Sequence, residues 1–104
     1  MYKNSFYFDP LAKGLEIFLG PTEAAIMNLI WERKKLSVKK TVFFLHESHH
    51  LAYTTVMTVM NRLEQKKILK REKDKRAFVY QAVLSKDNFI KERIKIVKDC
   101  LRKL

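Results

Sequence analysis

The sequence has 104 residues, 47% of them hydrophobic, with two glycines, two prolines and one cysteine. That is room for one compact domain of regular elements, and a lone Cys100 excludes an intrachain disulfide framework or a four-cysteine zinc site. Lysine and arginine number 22 against 11 acidic residues, a formal net charge of +11, which draws polyanions, nucleic acid before anionic membrane.

No apolar run approaches the roughly 18 residues that span a bilayer. The start MYKNSFYFDP lacks the basic-then-apolar pattern of a signal peptide. The expectation is a cytoplasmic protein in a reducing environment.

Residues 1–19 are aromatic-rich (Tyr2, Phe6, Tyr7, Phe8, Phe18) and too apolar for a floppy tail. They read as an arm that packs on the domain or on a partner chain, with room for a short helix around Leu11–Phe18. Gly20-Pro21-Thr22-Glu23 is a helix start: Gly20 at the N-cap, Pro21 at the first position, Glu23 at the third. Ile26, Met27, Ile30 and Trp31 follow at helical spacing, as core residues, until the charged run Glu32–Lys35. Leu36 suits a short strand contact. Ser37 caps a second, short helix whose inner face is Val38, Val42 and Leu45.

Residues 46–51 are polar and read as a connection. A third helix spans about Ala52–Lys66, with Val56, Val59, Met60 and Leu63 on one face and Thr54, Thr55, Thr58, Asn61 and Arg62 on the other. The period then changes from 3.6 to 2. Residues 68–72 and 77–82 are β-prone, and Lys73–Arg76 between them is a turn, which makes a hairpin. Ser85 caps a last helix running toward Leu104. Its apolar residues Ile90, Ile94, Val97, Leu101 and Leu104 form a short seam of heptad type. There is no internal repeat and no low-complexity segment.

Three helices, a hairpin and a long helix describe a winged helix-turn-helix: mainly α with a small β-hairpin, and a C-terminal helix suited to dimerisation. The expected organisation is an arm (1–19), a DNA-binding domain (20–84) and a dimerisation helix (85–104). Helix three is the natural candidate for the major groove. From Arg62 to Arg76 stand eight basic residues against three acidic ones, the charge a groove-reading element needs for phosphate neutralisation. A solvated hairpin carries such a run too, so the fold pattern carries the weight. Threonines are poor helix formers, so Thr54, Thr55 and Thr58 are odd on a solvent face. Short hydroxyls let a helix approach DNA and bond phosphates or base edges. Arg62 reaches a phosphate one turn on. Tyr53 bonds the backbone, stacks, or simply packs on the domain.

His46, His49 and His50 read as a solvated loop, since zinc wants four ligands and Cys100 is distant in sequence. The residues suggest no metal site, cofactor, small-molecule ligand or catalytic constellation. Two readings stand beside DNA binding. The last helix, basic with one apolar stripe, could lie on an anionic membrane surface, and a winged helix can serve RNA or protein contacts.

The segments LGPTEAAIMNLIW, AYTTVMTVMNRLEQKK and REKDKRAFVYQAVLS resemble the BlaI/MecI/CopY penicillinase-repressor family over about residues 19–85, most specifically at Ala52–Leu63. The lead-in FDPLAKGLEIFLG resembles short members with an N-terminal extension. The resemblance implies a homodimeric winged-helix repressor on the double-stranded DNA of a palindromic, inverted-repeat operator. It implies DNA contacts by Tyr53, Thr54, Thr55, Thr58 and Arg62, a hairpin near Lys73, Lys75 and Arg76 on the flanking backbone, and dimerisation by the helix after Ser85. Two positions depart from the family's pattern. Lys67 stands where a glycine usually follows the third helix, and Lys75 where the wing turn often has one. A lysine in a left-handed conformation costs roughly 1 kcal/mol, yet both changes add positive charge close to DNA. The longer antibiotic-responsive members continue into C-terminal helices cut by a sensor protease, a segment with no counterpart in the resemblance. Copper-responsive members carry a cysteine cluster where this sequence has Cys100 alone, so copper sensing is not expected.

Overall fold

A computed structural model describes residues 19–103 of the chain. The aromatic arm, its short helix and Leu104 lie outside the described residues. Within them the order is α1 (Pro21–Arg33), β1 (Lys35–Leu36), α2 (Val38–Leu45), α3 (Tyr53–Gln65), β2 (Leu69–Asp74), β3 (Ala77–Ala82) and α4 (Lys86–Arg102).

The helix starts follow from local chemistry. Gly20 is extended at the N-cap of α1 with Pro21 next, and the Gly20 N–H donates to Glu23 Oε1 at 3.2 Å. Ser37 Oγ and Ser85 Oγ accept from the N–H of Lys40 and Asn88, each at 3.2 Å, and so cap α2 and α4. The end of α3 is a Schellman turn: Lys67 N–H donates to Glu64 O at 3.0 Å, and Ile68 N–H to Leu63 O at 2.9 Å. Leu63 and Ile68, which that turn brings together, are both buried. Lys67 occupies the left-handed position of this turn, with φ 65°.

The strands form one antiparallel sheet in the order β1-β3-β2, with Leu36 opposite Tyr80 and Arg71 opposite Tyr80 on the other side. The hairpin is longer than the sequence reading. Lys73 pairs with Phe78 and Asp74 with Ala77, so Lys73 belongs to β2 and the turn shrinks to Lys75 and Arg76. Lys75 has φ 60°, so this two-residue hairpin turn puts a lysine at a positive-φ position, where glycine or asparagine is favoured.

The core is Ile26, Met27 and Ile30 of α1 against Val56, Met60 and Leu63 of α3, closed by Leu36, Leu69 and Tyr80 of the sheet. In α2, Val38 and Leu45 are buried as expected, but Val42 is only half-buried and Thr41 is fully buried instead. The Thr41 hydroxyl donates to Ser37 O at 2.8 Å, which removes the penalty for burying it. The core also extends beyond residue 84. Trp31 Nε1 donates to Leu84 O at 2.9 Å, its ring lies 5.7 Å from that of Phe89, and Phe89 is buried. These contacts lock the first turn of α4 onto α1. Helices α1–α3, a hairpin and a trailing helix on this core make a winged helix-turn-helix.

Candidate nucleic-acid interface

The buried stripe of α3 fixes what its opposite side shows. With Val56, Met60 and Leu63 inward, 3.6-residue periodicity turns Thr54, Thr58 and Arg62 outward, with Thr55 on one flank and Tyr53 on the other. All five are exposed, Tyr53 by 51%. The sequence reading put Asn61 on this face as well. The structure turns it toward the sheet, where it is half-buried and Oδ1 accepts from the Tyr80 hydroxyl at 2.7 Å. That bond ties β3 to α3 and sets the spacing between helix and hairpin. Ala52, at the N-cap of α3, makes no side-chain cap, so the N–H groups of the first turn stay available to water or an anion.

Strand alternation sorts the hairpin's charges. Arg71 and Lys73 fall on the same face as Tyr80, the face toward α3, whereas Lys70, Glu72 and Asp74 fall on the other. Both acids of β2 therefore point away from α3. Glu72 is further neutralised by Lys35, whose Nζ lies 2.6 Å from Glu72 Oε1. The hydrogen bond and opposite charge hold the Lys35 ammonium above its ordinary pKa and the Glu72 carboxyl below its own. Both are exposed, so the pair adds little stability. What it removes is one negative charge from the hairpin. Lys75 and Arg76 project from the exposed turn. Of the cations counted in sequence, Lys66 is engaged elsewhere: its Nζ lies 3.1 Å from Glu23 Oε2.

The structure thus brings Tyr53, Thr54, Thr55, Thr58 and Arg62 onto one exposed helix surface and places Lys73, Lys75 and Arg76 on the neighbouring hairpin. Beside them stand three residues that the sequence reading does not single out, Lys39 at the start of α2, Met57 on α3 (37% exposed) and Phe78 (48% exposed), and Arg71, which it counts only within the basic run. Period-2 alternation from Tyr80 was the available signal for Arg71 and Phe78.

The expected seam on α4 divides. Ile90 is half-buried against the domain core, because Phe89 beside it anchors the helix there. Ile94, Val97 and Leu101 are exposed by 42%, 43% and 62%. Ile96, outside the seam, is exposed by 44%. His46, His49 and His50 are exposed in the α2–α3 connection, with the His46 and His50 rings 5.1 Å apart. Among the described residues no helix is long and apolar enough to cross a membrane.

The sequence profile of the penicillinase repressor family matches residues 19–103. The transcriptional regulator BlaI of Mycobacterium tuberculosis is 38% identical over 76 residues, covering 69% of this chain and 53% of its own length, so this chain spans about half of that relative. Two solved structures share the fold. The solution structure of the DNA-binding domain of the repressor BlaI has a TM-score of 0.60 at 24% identity, over 65% of this chain and 83% of that one. The monomeric form of Bacillus licheniformis BlaI in complex with the blaP half-operator has a TM-score of 0.58 at 23% identity, over 66% and 84%. With a match that runs from Leu19 through the hairpin and along α4, this chain is a member of the penicillinase repressor family.

Proposed function

We propose that the protein is a cytoplasmic transcriptional repressor that binds an inverted-repeat operator as a homodimer. The observation that carries this reading is the exposed, threonine-lined face of α3 beside a hairpin whose α3-facing cations are separated from its acids. In this arrangement α3 enters the major groove. Thr54, Thr55 and Thr58 meet base edges and thymine methyls, Arg62 and Tyr53 meet the backbone, and Lys73, Lys75 and Arg76 neutralise flanking phosphates. Membership of the family and the half-operator complex of the B. licheniformis relative support it. Two copies pair through Ile94, Val97 and Leu101, with Ile90 and Leu104 at the ends of the seam. The paired α3 helices then sit about one DNA turn apart, and the bound dimer obstructs RNA polymerase.

The test is binding of the purified chain to its own promoter region against random DNA across a salt series. The expected result is protection of an inverted repeat with a preference of roughly a thousandfold or more over random DNA. Thr58→Ala should reduce binding to that site more than binding to random DNA. Weak and equal binding to both DNAs at every salt concentration overturns the reading and leaves only a general attraction of polyanions. The same stripe on α4 would suit an anionic vesicle surface, so sedimentation with anionic vesicles at high salt, where the general attraction of a +11 chain is screened, distinguishes the membrane reading: a dimer with a covered seam does not pellet there.

A further inference from the structure

Between α3 and the hairpin lies a cleft with Met57 and Asn61 on one wall, Arg71, Arg76 and Phe78 on the other, and Lys39 of α2 at its end. Its walls are held together by the Tyr80–Asn61 hydrogen bond. Phe78 stands two residues before Tyr80 on the same face of β3, and the Arg71 guanidinium lies 4.4 Å from its ring centroid. Phe78 and Met57 are thus partly exposed apolar walls inside a cationic rim. A hairpin needing only positive charge has no use for an exposed phenyl ring there.

Backbone geometry says what would fill the cleft. If α3 lies in the major groove and the hairpin reaches the adjoining minor groove, the strand that divides the two grooves passes between them. That strand alternates phosphates with sugars. Phosphates require cations, while a deoxyribose presents C–H faces that pack on apolar side chains. We infer that this cleft seats a stretch of deoxyribose-phosphate backbone. Phe78 and Met57 pack on a sugar, and Lys39, Arg71 and Arg76 surround the phosphates on either side. The inference rests on the DNA-binding reading and adds to it a selection of sugar. A ribose 2′-hydroxyl pressed against Phe78 and Met57 loses water and gains no partner, so the seat discriminates DNA from RNA.

The experiment uses the full chain and a promoter duplex, with ribonucleotides placed singly along each strand and binding read by fluorescence anisotropy. For the wild-type chain, one or two adjacent positions per half-site should lose about tenfold in affinity, and the others less than about twofold. Phe78→Ser should weaken the all-deoxy duplex about tenfold and abolish the difference at those positions while leaving the salt slope unchanged. Met57→Thr should also abolish it, a second variant that keeps the test decisive if one of them melts early. Lys39→Ala should retain the sugar preference and lower the salt slope by about one. The inference is overturned if no position responds to the 2′-hydroxyl, or if Phe78→Ser binds the all-deoxy duplex as the wild type does. Arg62→Ala separates the two levels. If it weakens binding and Phe78→Ser does not, the cleft assignment fails alone; if neither weakens it, the placement of DNA on the α3–hairpin side fails too.

Discussion

Replacing Lys67 with glycine should make the protein more stable although it deletes a whole side chain. Lys67 takes φ 65° at the left-handed position of the turn that ends α3. A residue with a Cβ costs roughly 1–2 kcal/mol in that conformation, while glycine returns about 0.5–1 kcal/mol through the greater freedom of the unfolded chain. The Lys67 side chain is exposed, so no packing is lost, and the net gain is about 0.5–1 kcal/mol. For a domain of this size that raises the melting temperature by about 2–8 °C. The control is Lys67→Ala, which removes the charge and stem but keeps the Cβ. Thermal melts of the three proteins at the same ionic strength separate the contributions. If Lys67→Gly is no more stable than Lys67→Ala, backbone strain is not what Lys67 costs, and the benefit came from reduced charge repulsion. The same reasoning applies to Lys75, at φ 60° in the hairpin turn.

Tyr80→Phe should cost about 1–2 kcal/mol in denaturant unfolding, because it leaves the half-buried Asn61 carbonyl without its donor; unchanged stability would mean that the bond does not tie the hairpin to α3. Ile94→Asp combined with Leu101→Asp, at two exposed positions, should give folded monomers by sedimentation, with a melting temperature that no longer rises with protein concentration; persisting dimers would remove the seam from the interface. Glu72→Gln tests the exposed pair with Lys35. A lowered carboxyl pKa contributes stability above the ordinary carboxylate range and loses it as pH falls through the lowered value. A raised lysine pKa contributes below the ordinary lysine range and loses it as pH rises through the raised value. The small difference between wild type and variant should therefore be present at neutral pH and fade at both extremes; a difference that grows on acidification contradicts the pairing.

Features set by neighbours along the chain were legible in the sequence. The caps at Gly20, Ser37 and Ser85 involve groups three residues apart, whereas the positive-φ positions of Lys67 and Lys75 were signalled only by the glycines that the family it resembles carries there. Features set by distant partners were not. Asn61 looks like an outward polar residue until Tyr80 arrives from β3 to donate to it. Thr41 looks like a surface residue because an eight-residue helix has too few turns to define its inner face. The hairpin's length depended on cross-strand pairing at Asp74 and Ala77, which the charges of Lys73 and Asp74 concealed. The seam of α4 had the right spacing, yet Phe89, one residue before its start, was the side chain that filled the core. What fixed that choice was Trp31, in α1, which no pattern within α4 reveals.

Local conflict between residue and conformation is a pointer to function, and here its limits can be seen. Thr54, Thr55 and Thr58 weaken the helix that carries them, and Lys67 and Lys75 strain the turns at the end of that helix and at the hairpin tip. Glycine at both turns and alanine on the helix face would be more stable. Lys34 breaks the pattern: with φ 79° and ψ −60° it is strained at the end of α1, near the start of α4. Strain plus positive charge therefore does not define the interface, since Lys34 has both. What Lys34 lacks is a neighbouring exposed element made of short hydroxyl side chains, and a hairpin whose acids have been turned away. Among the described residues, only the α3–hairpin side combines strain, sorted charge and groove-sized polar groups. A lysine at Lys67 or Lys75 can be kept there for its charge, whereas Lys34→Gly should gain stability with no loss of DNA affinity, and a loss equal to that of Lys75→Gly would extend the interface to the residues around the start of α4.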